Sequence, residues 1–153
     1  MNSYEELKTR HQNEVNAFPV MFAFSEEQFN EGMRQLGLEP SDTDKVCTLT
    51  NTGGFMRKTD SDRFHEMMSR HKREWQEALD GDTTGLGYIL DMFRYELRNH
   101  EYGYTWELDP TLDALGLTRE IIDMNKPLRN GLFAAIEEIK KEEEGCEKTN
   151  EKP

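Results

Sequence analysis

Hydrophobic positions recur at helical spacing along most of this chain. Phe64, Met67, Met68, His71, Trp75, Ala78 and Leu79 line one stripe of a helix predicted after the N-cap candidates Thr59, Asp60, Ser61 and Asp62. On its polar side Arg70 with Glu74, and Arg73 with Glu77, stand at i,i+4 with opposite charge. Asp80-Gly81-Asp82 ends it. A second helix is predicted over 84–99 with two apolar rows, Leu86, Ile89, Leu90, Phe93 and Leu97 in one and Tyr88, Met92 and Tyr95 in the other. A helix apolar around so much of its circumference belongs at the centre of a core. Asp91, Arg94 and Arg98 mark its solvent edge. A short helix follows from Pro110, and Thr118 caps a turn through Ile121 and Ile122. Pro127 then opens a last helix with Leu128, Leu132, Phe133, Ile136 and Ile139 facing inward.

The N-terminal third is less regular. Ser3 with Glu6 is a capping-box pattern, which predicts a peripheral first helix to about residue 16 carrying only Tyr4, Leu7 and Val15 as apolar positions. The run from Pro19 to Phe24 fits either an extended segment or a buried connector. Ser25 with Gln28 repeats the capping signature, and Phe29, Met33 and Leu36 give a short amphipathic helix. Leu36-Gly37-Leu38, like Leu115-Gly116-Leu117 later, reads as a helix end with glycine in the left-handed C′ position. Val46 to Thr50 alternates roughly, Asn51 to Gly54 has turn chemistry, and Phe55 follows, which predicts a small β-hairpin near 45–58. The expected fold is therefore mainly α (α+β), one helical domain over 1–140 of about five or six helices with that hairpin. From Lys140 the chain becomes Glu/Lys-rich without apolar support, so 141–153 is expected as an acidic, polar, disordered tail.

Composition limits the setting. Hydrophobic residues are 35% and charged ones 33%, and no run approaches the roughly 20 apolar residues of a membrane span. The polar N-terminus has no signal-peptide apolar region. Cys47 and Cys146 do not make a disulfide framework, and a reducing cytoplasm is the expected compartment. The net charge is −12, and its placement says more than its total. Residues 80–123 carry ten acids against three bases, whereas 124–136 carry two bases and no acid. Such a field disfavours nucleic-acid backbones and anionic lipid and favours a basic protein partner, although the same charge also serves solubility alone. Arg57, Lys58, Arg63, Arg70, Lys72 and Arg73 do not form a nucleic-acid footprint, because Asp60, Asp62, Glu66, Glu74 and Glu77 interleave with them.

Catalytic patterns are sparse. His65-Glu66-Met67-Met68 lacks the second histidine of a zinc-protease motif, since position 69 is serine. His65 and His71 are six apart and fall on different helix faces. Glu96 and His100, four apart, share a face, but two residues do not meet the three or four ligands of a zinc site. No nucleophile elbow occurs, and neither Gly53-Gly54 nor Gly81 to Gly87 forms a phosphate loop. No cofactor or metal is expected. The most unusual cluster is Asn99 to Trp106. It fits a loop pinned to the core by its aromatics, and it also fits an edge that offers aromatic anchors beside acidic side chains.

Gly53-Gly54-Phe55-Met56-Arg57-Lys58, Phe64-His65-Glu66-Met67, Leu97 to Tyr102 (extending to Thr105) and Leu112 to Thr118 together resemble a family of small, uncharacterised acidic proteins of Firmicutes and their phages and mobile elements. The resemblance covers about the central half of the chain and brings no catalytic residue with it. It implies a cytoplasmic, mobile-element setting, in which small acidic proteins often inhibit host defence proteins, as anti-CRISPR proteins inhibit Cas nucleases. The first reading is thus a non-enzymatic protein that binds, and inhibits, a host nucleic-acid-handling or defence protein through its basic surface, for example a Cas nuclease. Its expected contact residues are Asp91, Glu96, Glu101, Glu107, Asp109 and Asp113, with Tyr102, Tyr104 and Trp106 as anchors. The alternatives are a small enzyme using His100 with Glu101 or Glu96 as acid–base or metal site, and a regulatory accessory protein that oligomerises through the Met-rich helix at 62–79.

Overall fold

Asn2, not Ser3, caps the first helix. Its side-chain oxygen accepts the Glu5 N–H at 3.1 Å and its carbonyl accepts the Glu6 N–H at 2.9 Å, so α1 runs Ser3–Ala17. The Ser3 hydroxyl is committed elsewhere, donating to Asp91 at 2.8 Å. The structure is a computed structural model that describes residues 2–150, and of 146–150 it describes the backbone only. Eight α-helices and three strands form among the described residues, a mainly α fold with one small antiparallel sheet. The chain divides into two compact units, 10–74 and 1–9 with 75–153.

The unit at 10–74 holds the sheet. Strand β1 (Met21–Phe22) resolves the ambiguous run as extended, and β2 (Val46–Leu49) with β3 (Gly54–Arg57) forms the expected hairpin. The order is β1-β3-β2, with Met21 opposite Phe55 and Cys47 opposite Met56. Helix α2 (Glu26–Gln35) begins as its pattern predicts, the Ser25 hydroxyl accepting the Gln28 N–H and the Gln28 side chain accepting the Phe24 N–H at 2.7 Å. It ends at Gly37, φ +77°, with the Leu38 N–H returning to the Met33 carbonyl at 2.9 Å. Met33, Leu36 and Phe55 are its buried core, packed against Met21, Ala23, Phe29, Leu38 and Val46. Phe22 and Phe24 are exposed, yet their rings lie against the bare backbone of Gly54 and Gly53, where an added Cβ would come within 3.1 and 2.8 Å of them. Helix α3 (Ser61–Gly81) follows a 3₁₀ turn at Lys58–Asp60. Met68, placed on its buried stripe by spacing, is 43% exposed instead.

The unit at 1–9 and 75–153 is built on α4 (Tyr88–Asn99) against α8 (Lys126–Asn150). Ile89, Met92, Phe93, Leu97 and Ala135 are almost wholly excluded from solvent, as the doubly apolar pattern of α4 requires. The two helices approach closely at Gly131, where a Cβ would fall 2.5 Å from Ile89 and 2.6 Å from the Gly85 carbonyl. The helix expected from 84 starts at 88 because Asp82 captures the intervening backbone. Its carboxylate accepts the N–H groups of Gly85, Gly87 and Ile89 at 2.9–3.0 Å, a compact loop that competes with a helical turn. Leu86 is therefore in the loop and 58% exposed.

Three short helices complete this unit: α5 (Tyr102–Thr105), α6 (Asp109–Leu115) and α7 (Arg119–Asp123), the last capped by Thr118 as expected. α5 and α7, one turn or little more, account for the excess over the expected helix count. α6 closes at Gly116, φ +66°, with the Leu117 N–H bonded to the Leu112 carbonyl at 3.0 Å, the same ending as that of α2. Phe133 of α8 does not face inward; it is 68% exposed. α8 continues as helix through 141–150, where a tail was expected, and 151–153 lie outside the described residues.

Candidate interaction edge and two ionic clusters

Residues 101–113 form a narrow strip anchored from within. Tyr102, Thr111 and Leu112 are buried, Leu108 packs on the core, and the Tyr102 and Trp106 rings meet edge-to-face at 5.5 Å. Two non-glycine residues in left-handed conformation, Glu101 (φ 56°) and Trp106 (φ 58°), bracket α5. That conformation costs a bulky residue roughly 1–2 kcal/mol, so the surrounding packing must hold it. The result is outward display of Tyr104, 87% exposed, and of Trp106, 48% exposed. Glu101, Glu107, Asp109 and Asp113 are exposed on the same strip. Asp109 pairs with Arg119 at 2.9 Å, while Glu101, Glu107 and Asp113 have no ion-pair partner among the described residues.

Three of the expected contact residues are not on the strip's exposed surface. Tyr102 is a core residue. Asp91 is half-buried and spent locally, accepting from Ser3 and from Arg94 at 3.1 Å. Glu96 is 2% exposed and offers nothing to a partner protein. The reason is its position on the inner face of α4, where only internal partners make its charge tolerable. Lys8 Nζ lies 2.6 Å and the Tyr4 hydroxyl 2.9 Å from Glu96 Oε1, and His100 Nε2 lies 3.3 Å from Oε2. Burial alone would raise this carboxyl; the hydrogen bonds from Lys8 and Tyr4, with the charges of Lys8 and His100, carry it below the usual carboxylate range. Burial and the neighbouring Glu96 charge push the Tyr4 phenol far up. The Glu96–His100 proximity proposed for acid–base work thus exists, but the carboxylate is already saturated with donors and shielded from solvent. A general base needs an approachable substrate proton within hydrogen-bond reach.

A second cluster escaped the sequence reading. In the unit at 10–74, His11 of α1 and His71 of α3 stack with ring centroids 3.9 Å apart and planes 15° from parallel. Each reaches a glutamate on the other helix: His11 Nε2 is 3.4 Å from Glu74, and His71 Nε2 is 3.2 Å from Glu14. Arg70 bridges both carboxylates, and Arg10 joins Glu74 at 2.7 Å. Hydrogen bonds from Arg70 and His71 hold the Glu14 carboxyl down to about 2. Burial pushes His11 below the ordinary imidazole value; Glu74 opposes this, and the charges of His71 and Arg10 add to it. The signal in the sequence was His-x-x-Glu occurring twice, at 11–14 and 71–74. With Arg70 between the carboxylates this is an ionic clasp. No group of three or more His, Cys, Asp or Glu side chains that could hold a metal ion forms among the described residues.

A family model described as a family of unknown function, DUF7659, matches residues 3–138. The chain belongs to that family. No curated protein and no solved structure matches it. The family match spans both units, including the clasp, the Glu96 cluster and the strip at 101–113, and it carries no assigned activity. No helix among the described residues is long and apolar enough to cross a membrane.

Proposed function

We propose that this member of the DUF7659 family is a non-enzymatic binding protein that engages a basic protein surface through the strip at 101–113. The observation that carries the reading is Tyr104, 87% exposed and held out by a one-turn helix between two left-handed residues. Exposed aromatic side chains next to unpaired carboxylates supply what a protein interface uses: apolar area with a polar tip, and charge that steers encounter. The contact set is Glu101, Tyr104, Trp106, Glu107, Asp109 and Asp113. Asp91, Glu96 and Tyr102 act behind it as structure. In its narrower form, the protein comes from a phage or mobile element and inhibits a host nucleic-acid-handling or defence protein, such as a Cas nuclease, by covering its nucleic-acid-binding face.

The test is affinity capture from host cytosol with the wild-type chain and with a Glu101→Lys/Tyr104→Ala/Glu107→Lys variant as baits. A basic protein retained by the first, lost by the second and released by moderate salt supports the reading. Identical capture by both baits with the same salt dependence removes it. Competition of the captured protein's nucleic acid with the wild-type chain separates the narrower form from the broader.

A further inference from the structure

The outer face of α8 carries an apolar patch that the strip at 101–113 does not explain. Phe133 is 68% exposed at its centre, and Leu86, 58% exposed, stands beside it. Together with Ile122, Leu132 and Ile136 they line a groove of about 630 Å³. A contiguous exposed apolar patch with a polar rim marks an interaction surface, whereas a single exposed apolar side chain does not.

The charges around Phe133 are arranged to meet themselves. Arg129 lies four residues before it and Glu137 four residues after it. When two such helices pack antiparallel about a two-fold axis through Phe133, residue 133 − n of one faces residue 133 + n of the other. Arg129 then faces Glu137 of the second copy, and the same pair forms again across the axis. Both groups are available. Arg129 donates to the Asp123 carbonyl and has no carboxylate partner among the described residues, and Glu137 has only a loose contact with Lys140 at 3.7 Å. The two phenylalanine rings meet at the centre. Lys126 and Lys140, seven residues away on either side, would face one another. A crossing angle near 50° separates helices at that distance from the contact. The wider field agrees. A chain of net charge −12 repels its own copies over most of its surface, but residues 124–136 hold two bases and no acid.

We propose that the protein self-associates as a two-fold dimer through the outer face of α8, with Phe133 at the axis and reciprocal Arg129–Glu137 ion pairs on either side. This is independent of the partner-binding strip, and its variants leave residues 101–113 unchanged.

Sedimentation equilibrium of the full chain over a range of concentrations tests it. A monomer–dimer equilibrium is expected, weakened at least tenfold by Phe133→Asp. Arg129→Glu and Glu137→Arg should each weaken it, because each single change sets like charges opposite one another. The double variant Arg129→Glu/Glu137→Arg should restore it to within about threefold of wild type. Thermal melts of all the variants monitor folding, and recovery in the double variant itself requires a folded chain. A wild-type chain that stays monomeric up to about 1 mM overturns the proposal. So does a dimer indifferent to Phe133→Asp, or a double variant as weak as the worse single one.

Discussion

The two ionic clusters solve the same problem in opposite ways. Glu96 is one carboxylate sunk in an apolar core, 2% exposed, with one cation, one phenol and one imidazole around it. The clasp at His11, Glu14, Arg70, His71 and Glu74 is a network of part-exposed charges, with Arg70 40% and Glu14 31% exposed. The unit around Glu96 has a large apolar core and tolerates one expensive charge within it. The unit at 10–74 buries four apolar side chains, Met33, Leu36, Phe55 and Met56, and its helices α1 and α3 meet through charge, stacked imidazoles and the Phe18–Phe64 contact at 5.4 Å. The first cluster should therefore be costly to break and indifferent to salt. The second should be cheap to perturb at any one residue and sensitive to mild acid and to salt.

The largest effect should come from Lys8→Met. Methionine keeps the apolar stem packed near the Tyr4 and Tyr95 rings, where Lys8 Nζ now sits 5.8 and 5.0 Å from the centroids, but removes the permanent cation beside Glu96. A buried carboxylate left short of its partner costs about 2–3 kcal/mol. Urea unfolding at pH 7 measures it, and adding Glu96→Gln should recover most of the loss. A change below about 0.5 kcal/mol would mean that Tyr4 and His100 suffice, and that the contrast between the clusters is wrong.

A middle-sized effect is expected on acidification. His11 titrates below its unfolded value of 6.5, so the folded state binds fewer protons than the unfolded one. The stability it contributes is complete above pH 6.5 and is lost as pH falls from there towards the folded value. Glu14, Glu74 and Glu96 have lowered values, so their contributions are complete above about 4.5 and are lost below it. Amide protection at 10–17 and 61–74 should therefore begin to weaken as pH falls below about 6.5, while that of α4 holds until below about 4.5. His11→Gln should change stability at pH 7 by less than about 1 kcal/mol and abolish the early loss. Parallel acid curves for both regions would erase the distinction.

These regions differ as much in how far their sequences reveal them. α4 was legible because burial on nearly all sides writes a dense apolar pattern, and the hairpin because Asn51-Thr52-Gly53-Gly54 has a turn chemistry of its own. Asp82 hid the true start of α4, since side-chain capture of three N–H groups leaves no periodic trace. Phe133 fitted the inward row by spacing, yet its row is wider than the surface α4 can cover. The strip at 101–113 was visible as composition, but which aromatic turns outward depends on the left-handed Glu101 and Trp106, which no residue type there announces. The clasp was written as two His-x-x-Glu pairs sixty residues apart in sequence. Only the meeting of α1 with α3 joins them, and that is set by tertiary packing.

The smallest effect separates the clusters most finely. Arg10 is 61% exposed and shares Glu74 with Arg70 and His11, so Arg10→Ala leaves the carboxylate paired and should cost only about 0.2–1 kcal/mol at pH 7. In 1 M salt, where the screening length falls to about 3 Å, that cost should vanish. Its acid behaviour should run the other way. The Arg10 charge is one of the causes that hold His11 down, so its removal lets the imidazole rise towards 6.5 and narrows the gap between folded and unfolded states. A variant less stable than wild type at pH 7 should thus lose less on going to pH 5, and the two unfolding curves should converge. Lys8→Met acts on the carboxylate instead: without that cation, burial lets the Glu96 carboxyl rise, so any convergence of its curve with wild type reports Glu96 and not His11. If the Arg10→Ala and wild-type curves stay parallel from pH 7 to pH 5, Arg10 and His11 are not electrostatically coupled, and the clasp is a set of separate surface pairs rather than a network.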